Sequence, residues 1–178
     1  AFRSSGSDRL QIESDLRRAI ERGEIRLAYQ PIIRLADHTV AGFEALLRWE
    51  HPRRGVIPPA EFVPIAENSG LIVQLGLFAM QRAAEELARW LKPVGEPPVF
   101  VSVNLSSRQL MRQDLVVDVR SALARAGLKA RHFRLELTES LIMDNPEQST
   151  RVLSKLKALG IGLSLEMSSS RRTLTVCT

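Results

Sequence analysis

Four oxygen-bearing side chains are the first candidates for chemistry. Glu44, Asn104, Glu136 and Glu166 fall near the carboxyl ends of four different predicted strands, which is where barrels and open α/β sheets bind their ligands. Carboxylate and amide oxygens with no His or Cys among them suit a hard cation such as Mg²⁺, Mn²⁺ or Ca²⁺. Converging carboxylates repel unless a cation neutralises them. Taken singly, each is equally a solvated strand-end residue or a salt-bridge partner. Arg48 lies four residues beyond Glu44, so both project from one face of an extended strand. A guanidinium there can clamp a phosphate, or simply pair with Glu44. Gln30 lies within the preceding strand, and Glu139 follows Glu136.

Other constellations are weak. His38, His51 and His132 fall in turns or at strand boundaries without metal-ligand spacing. No nucleophile elbow is present, and a G-x-G occurs only at Gly160–Gly162, without the rest of a phosphate loop. The single Cys177 allows neither an intrachain disulfide nor a Cys-based zinc site. The formal charge is +5, from 25 basic and 20 acidic residues. The Arg residues are dispersed, without a basic block or interleaved aromatics, which argues against an extended nucleic-acid partner.

The elements that must position these residues follow from periodicity. Ile12, Leu16, Ala19 and Ile20 repeat at helical spacing, with Asp8 and Gln11 expected to form a capping box and Gly23 to stop the helix. Ile25–Leu35 and Thr39–Trp49 read as strands joined by a short turn, hence antiparallel. Glu50–Pro59, with three prolines and Gly55, reads as a loop. Helices follow over Ala60–Glu67 and Leu71–Leu91. Val99–Leu105 is a strand, and Arg108–Ala126 a helix broken near Gln113. Phe133–Leu137 is the next strand, Asn145-Pro146 opens a helix closed by Gly160, and Ile161–Leu165 is the fifth strand. The later strands read as apolar on both faces, as expected for parallel strands covered by helices.

The expected class is therefore α/β with a mostly parallel sheet. A closed barrel of eight strand–helix units typically needs about 250 residues, and this chain has 178. It reads as an open sheet or an unfinished barrel. With 44% apolar and 25% charged residues it is expected to bury a core. The longest uncharged stretch, Asn68–Gln81, is shorter than the roughly 20 residues of a membrane span. Ala1–Ser14 lacks a signal-peptide pattern, and the absence of an initiator Met is expected of a piece of a longer protein.

At Glu44-Ala45-Leu46-Leu47-Arg48-Trp49 the sequence resembles the EAL domain, the bacterial cyclic-di-GMP phosphodiesterase module. The resemblance extends through Tyr29-Gln30-Pro31-Ile32, His51-Pro52, Gly55-Val56-Ile57-Pro58-Pro59, Phe62-Val63-Pro64-Ile65-Ala66-Glu67, Val103-Asn104-Leu105-Ser106 and Glu136-Leu137-Thr138-Glu139-Ser140, in the family's order. It implies a modified TIM (β/α)8 barrel with an antiparallel first strand, here truncated after about five strands. It implies a site that converts cyclic-di-GMP to pGpG with Mg²⁺ or Mn²⁺. By matching motif, Glu44, Asn104 and Glu136 are expected metal ligands, Glu44 and Glu136 catalytic, and Gln30 and Arg48 contacts to the dinucleotide.

One segment departs from the family. Where the family has paired aspartates in D-D-F-G-T-G, this chain has Glu166 and Met167, followed by serines. Glu166 keeps a carboxylate, while Met167 cannot bind a hard cation. The family's later lysine, glutamate and glutamine would fall beyond Thr178. The expected organisation is a linker at 1–9, the N-terminal part of an EAL domain at 10–165, and a divergent or frameshifted tail at 166–178. The resemblance supports two readings. The first is a phosphodiesterase module, active when intact and inactive as this chain. The second is a degenerate EAL domain that binds cyclic-di-GMP or a regulatory partner protein without turnover. An upstream GGDEF or sensory domain, a homodimer and a cytoplasmic location, including the cytoplasmic part of a membrane-anchored protein, are also expected.

Overall fold

The computed structural model describes residues 6–93, 99–138, 142–166 and 173–174. Helix α1 (Gly6–Ala19) leads into β1 (Ile25–Ile33), β2 (Val40–His51) and β3 (Gly55–Ile57). Helices α2 (Pro59–Ser69) and α3 (Ile72–Leu91) follow, then β4 (Phe100–Asn104), α4 (Ser107–Leu110) and α5 (Leu115–Ala126). A 3₁₀ turn at Ala130–His132 enters β5 (Phe133–Thr138). Helix α6 (Pro146–Ala158), β6 (Gly162–Glu166) and β7 (Thr173–Leu174) complete the order.

Among the described residues one sheet holds seven strands, in the order β1-β2-β4-β5-β6-β7, with β3 also paired to β2. The β1–β2 pair is antiparallel, as the short turn required, and β2, β4, β5 and β6 run parallel. The five long strands agree with the sequence reading, and β3 and β7 are additional. β3 lies inside the predicted Glu50–Pro59 loop: β2 runs two residues further than expected, and Gly55 at φ 71 turns the chain back to pair antiparallel with it. The short β7 pairs antiparallel with β6, giving that edge a partner.

Helix α1 starts before its predicted cap. Asp8 sits in its first turn and accepts from Arg54 Nη2 at 2.6 Å, while Gln11 Nε2 donates to Asp15 Oδ2 at 3.0 Å. The ion-pair partner, far away in sequence, outcompetes the local cap. The predicted helix over Arg108–Ala126 is indeed two helices, separated at 111–114. The opening of α6 is as expected, with the Asn145 side chain accepting from Gln148 N at 3.2 Å and Pro146 in the first turn.

Two apolar clusters cover one face of the sheet. The larger joins Val101, Val103, Phe133, Leu135 and Leu137 to Ala83, Leu87, Val119, Leu123 and Leu156 of α3, α5 and α6. The smaller joins Trp49 to Ile12, Leu16, Phe62 and Leu75. Trp49 is fully buried, edge-on to Phe62, and its Nε1 donates to Glu24 Oε2 at 3.1 Å. Leu47 packs against both clusters.

The opposite face corrects a prediction. Parity and register place Glu44, Ser102, Asn104, Arg134, Glu136 and Ser164 together on it. The later strands are therefore not apolar on both faces. Val101, Val103, Leu135 and Leu137 all lie on the helix side, and polar residues alternate with them. Arg134 lies over the Phe100 ring at 3.6 Å, and a Cβ on Gly162 would come within 2.9 Å of Arg134 Nε.

Among the described residues no single helix is long and apolar enough to cross a membrane. Helices α2 and α3 reach that composition only together, and they are bent by 119° to one another.

Candidate functional site

The polar face gathers three of the predicted donors. β4 is short, so its last residue, Asn104, stands one pleat above Ser102, which is level with Glu44 of β2. Glu44 is thus mid-strand in β2 rather than at its end: the rest of β2 extends past β4 to pair with β1 and β3. The side chains still meet, since Asn104 Nδ2 donates to Glu44 Oε1 at 2.9 Å. Asn104 is in register with Glu136 on β5, and Leu105 N donates to the Glu136 carbonyl at 2.9 Å. Glu136 is buried, Glu44 half-buried and Asn104 exposed.

Gln30 lies opposite Glu44 across the β1–β2 pair and is exposed. Arg48 sits two pleats along β2 on the same face, and its Nη1 donates to the Leu47 carbonyl at 2.9 Å. Glu44 takes its hydrogen bond from Asn104 instead, so the simple Glu44–Arg48 pair considered from spacing is not the arrangement here. The backbone of Glu166 closes β6 level with Thr138. The Glu166 side chain, Glu139, Met167 and Cys177 lie outside the described residues.

A cavity of about 290 Å³ opens where the strand ends meet α2 and α3. Its polar lining includes Arg48, Glu67, Asn104, Ser106, Gln109 and Glu136, set among Leu46, Val63, Ile72 and Val103. Such a mixture, apolar walls with a few convergent polar groups, is what a small-molecule site requires.

Among the described residues, no three His, Cys, Asp or Glu side chains are grouped closely enough to hold a metal. The donors do fit a hard cation in kind: two carboxylates and one amide, on adjoining strands and one face, with no soft ligand beside them. Mg²⁺ commonly takes only one or two carboxylates and keeps several waters. The Asn104 amide gives its N–H to Glu44, which leaves its oxygen as the donor atom.

His51 and His132 serve the scaffold. His51 Nδ1 accepts from Arg53 N and Arg54 N, each at 3.2 Å, so Nε2 carries the proton and donates to Asp15 Oδ2 at 3.2 Å. Asp15 and His51 are both buried, and they tie α1 to the β2–β3 hairpin. Hydrogen bonds from Gln11 and then His51 hold the Asp15 carboxyl below its ordinary value of 3.8, against the opposing effect of burial. His132 Nδ1 donates to the Val99 carbonyl at 2.7 Å. On β1, Tyr29 packs edge-on against Trp90 at 4.6 Å; burial, then the Glu86 carboxylate, raises its phenol above the usual range.

Sequence reasoning passed over Glu67, Ser106 and Gln109. A signal for the last two was present: Ser106-x-x-Gln109 has capping-box spacing. The box forms here, in the lining of the cavity, and not at Asp8 and Gln11.

The family model described as EAL domain matches residues 13–172. The bifunctional diguanylate cyclase/cyclic di-GMP phosphodiesterase MucR of Pseudomonas aeruginosa is 40% identical over 166 residues, covering 93% of this chain and 24% of that protein. The cyclic di-GMP phosphodiesterase NbdA of the same organism is 41% identical over 157 residues, covering 88% and 20% respectively. A solved structure described as the PaMucR phosphodiesterase in complex with c-di-GMP superposes with a TM-score of 0.83 at 42% identity, over 87% of this chain and 62% of that one. The chain thus spans about a quarter or less of these two relatives and under two thirds of the solved domain.

Proposed function

The chain belongs to the EAL domain family, and on that premise we propose that it is part of a cyclic-di-GMP phosphodiesterase module. The observation that carries this reading is the Glu44–Asn104 hydrogen bond, with Glu136 in register beside it at the rim of the cavity. Glu44, Asn104 and Glu136 would hold Mg²⁺ or Mn²⁺, with the Glu166 carboxylate a further candidate. When bound, the cation supplies charge stabilisation at the phosphoryl oxygens and a more acidic water. Arg48 would clamp a phosphate, and Gln30 would contact the dinucleotide from β1. The apolar wall formed by Leu46, Val63 and Ile72 would take a base and exclude water around it. GGDEF partnership, dimerisation and a cytoplasmic location belong to the same proposal.

A second reading is favoured by one segment. Glu166-Met167 stands where the family motif has paired aspartates, and a thioether cannot replace a carboxylate on a hard cation. Hydrolysis needs the attacking water in line with the scissile bond, and misplacement by about 1 Å can cost about 10²-fold. We therefore expect these 178 residues to bind Mn²⁺ weakly and to leave cyclic-di-GMP uncleaved. A protein carrying D-D-F-G-T-G and three further strand–helix units should convert it to pGpG in a Glu44-dependent manner. A chromatographic assay with Mn²⁺ on both proteins tests this. Glu44-dependent turnover by the short chain would show that the missing aspartate matters little. An inactive extended protein that still binds cyclic-di-GMP would establish the binding-module reading instead.

A further inference from the structure

We infer that Gln109 is a positioning residue that sets Asn104, and through it Glu44, in their working geometry. The inference rests on the reading of these residues as the cation and ligand site. Asn104 is the last residue of β4 and is exposed, so nothing on its own strand fixes its side chain. The chain beyond it is held at two points. Leu105 N donates to the Glu136 carbonyl at 2.9 Å, and Ser106 N donates to Gln109 Oε1 at 3.2 Å. The Ser106 hydroxyl also donates to Gln109 Oε1 at 3.0 Å, while Ser106 Oγ accepts from Gln109 N at 3.3 Å.

This box is more than a helix cap. Helix α4 has four residues, far below the length at which a helix is stable by itself. Its side chains must therefore hold it. Leu110 is fully buried and Gln109 is 3% exposed. The approach of Gln109 has been cleared on the facing helix: a Cβ on Gly76 of α3 would fall 1.8 Å from Gln109 Nε2 and 2.4 Å from its Cδ. A glycine in the interior of a 20-residue helix weakens it relative to alanine, and here it makes room for a polar side chain. Gln109 also lines the same cavity as Asn104, Ser106 and Glu136. A rigid link thus runs from the α3 wall, through Gln109 and Ser106, to the residue that donates to Glu44.

The direct readout is the Asn104 side-chain amide, observed by NMR in the full 178-residue protein. In the wild type its two protons should differ, the one bonded to Glu44 shifted from the free-amide position. Gln109→Ala and, independently, Ser106→Ala should move that proton toward the free position. Val119→Ala, a core truncation in α5, should leave it unchanged despite lowered stability. An unmoved Asn104 signal in both Gln109→Ala and Ser106→Ala would overturn the inference. So would an equal shift in Val119→Ala, because that would report loosened packing and not positioning. Cyclic-di-GMP titrated into the same samples separates this from the functional reading. A wild type that does not bind it shows that these residues do not hold the dinucleotide in this chain, while the Asn104 signal still reports on Gln109.

Discussion

On β4, Val101 and Val103 turn toward α3 and α5 and are buried in the larger cluster, whereas Ser102 and Asn104 turn to the other side. On β2 the same alternation puts Ala45, Leu47, Trp49 and His51 against the helices and Glu44 and Arg48 opposite. The helix side carries the large buried surfaces. The polar side carries groups whose burial opposes folding: among the described residues, the hydroxyls of Ser102 and Ser164 are buried without a hydrogen-bond partner. A single strand thus spends alternate residues on stability and on a site. Disturbing one set should leave the other largely intact, since residues with no shared partners act nearly additively.

The sharpest break in this comparison is Phe133→Ala. Phe133 is 1% exposed on the helix side, and its truncation should cost about 3–5 kcal/mol in urea unfolding. A cost below about 1 kcal/mol would mean that the helix side does not carry the stability.

Next in size is the Asp15–His51 pair, which fixes α1 to β2. His51→Ala leaves Asp15 buried without its neighbour and should cost about 1–3 kcal/mol. The pair also fixes the sign of an acid effect. The folded Asp15 carboxyl titrates below its ordinary value of 3.8, so its contribution is complete above that value. It is lost as pH falls through the lowered folded value. Asp15→Asn should flatten that portion of the stability–pH curve, measured by thermal unfolding between neutral and acid pH.

Smaller changes are expected on the polar face. Ser102→Ala removes a buried, unpartnered hydroxyl, and should range from neutral to about 1 kcal/mol more stable. A clear loss of stability would reveal a partner for Ser102. Glu44→Ala should have the least effect on folding, within about 0.5 kcal/mol, while weakening cyclic-di-GMP binding measured by calorimetry. A large loss of stability with binding unchanged would reverse the division of labour between the two faces.

Much of this was legible in the sequence. The alternation of strands and helices, the antiparallel first pair, the break near Gln113 and the Asn145-Pro146 helix start all rest on interactions within a few residues. Local interactions are decided by local spacing. Glu44, Asn104 and Arg48 stand out as candidates because carboxylate, amide and guanidinium placed on strands restrict the chemistry, while their roles come from the family resemblance. The misreadings share one cause. Asp8 has the spacing of a cap that α1 does not use, because its partner Arg54 lies 46 positions away. Strand β3 was hidden in a proline-rich loop because its pairing depends on where β2 ends.

What the sequence determined by itself was the five long strands, the main helices and a set of candidate oxygen donors on a largely parallel sheet. The tertiary structure decided which of them meet. Register places Asn104 level with Glu136 and one pleat above Glu44, and a shift of one residue would turn every one of these side chains to the helix side. It also made Gly76 and Gln109, 33 positions apart in sequence, into one close contact. No local periodicity encodes such a contact, because it is fixed only when α3 and α4 pack against the same strand end.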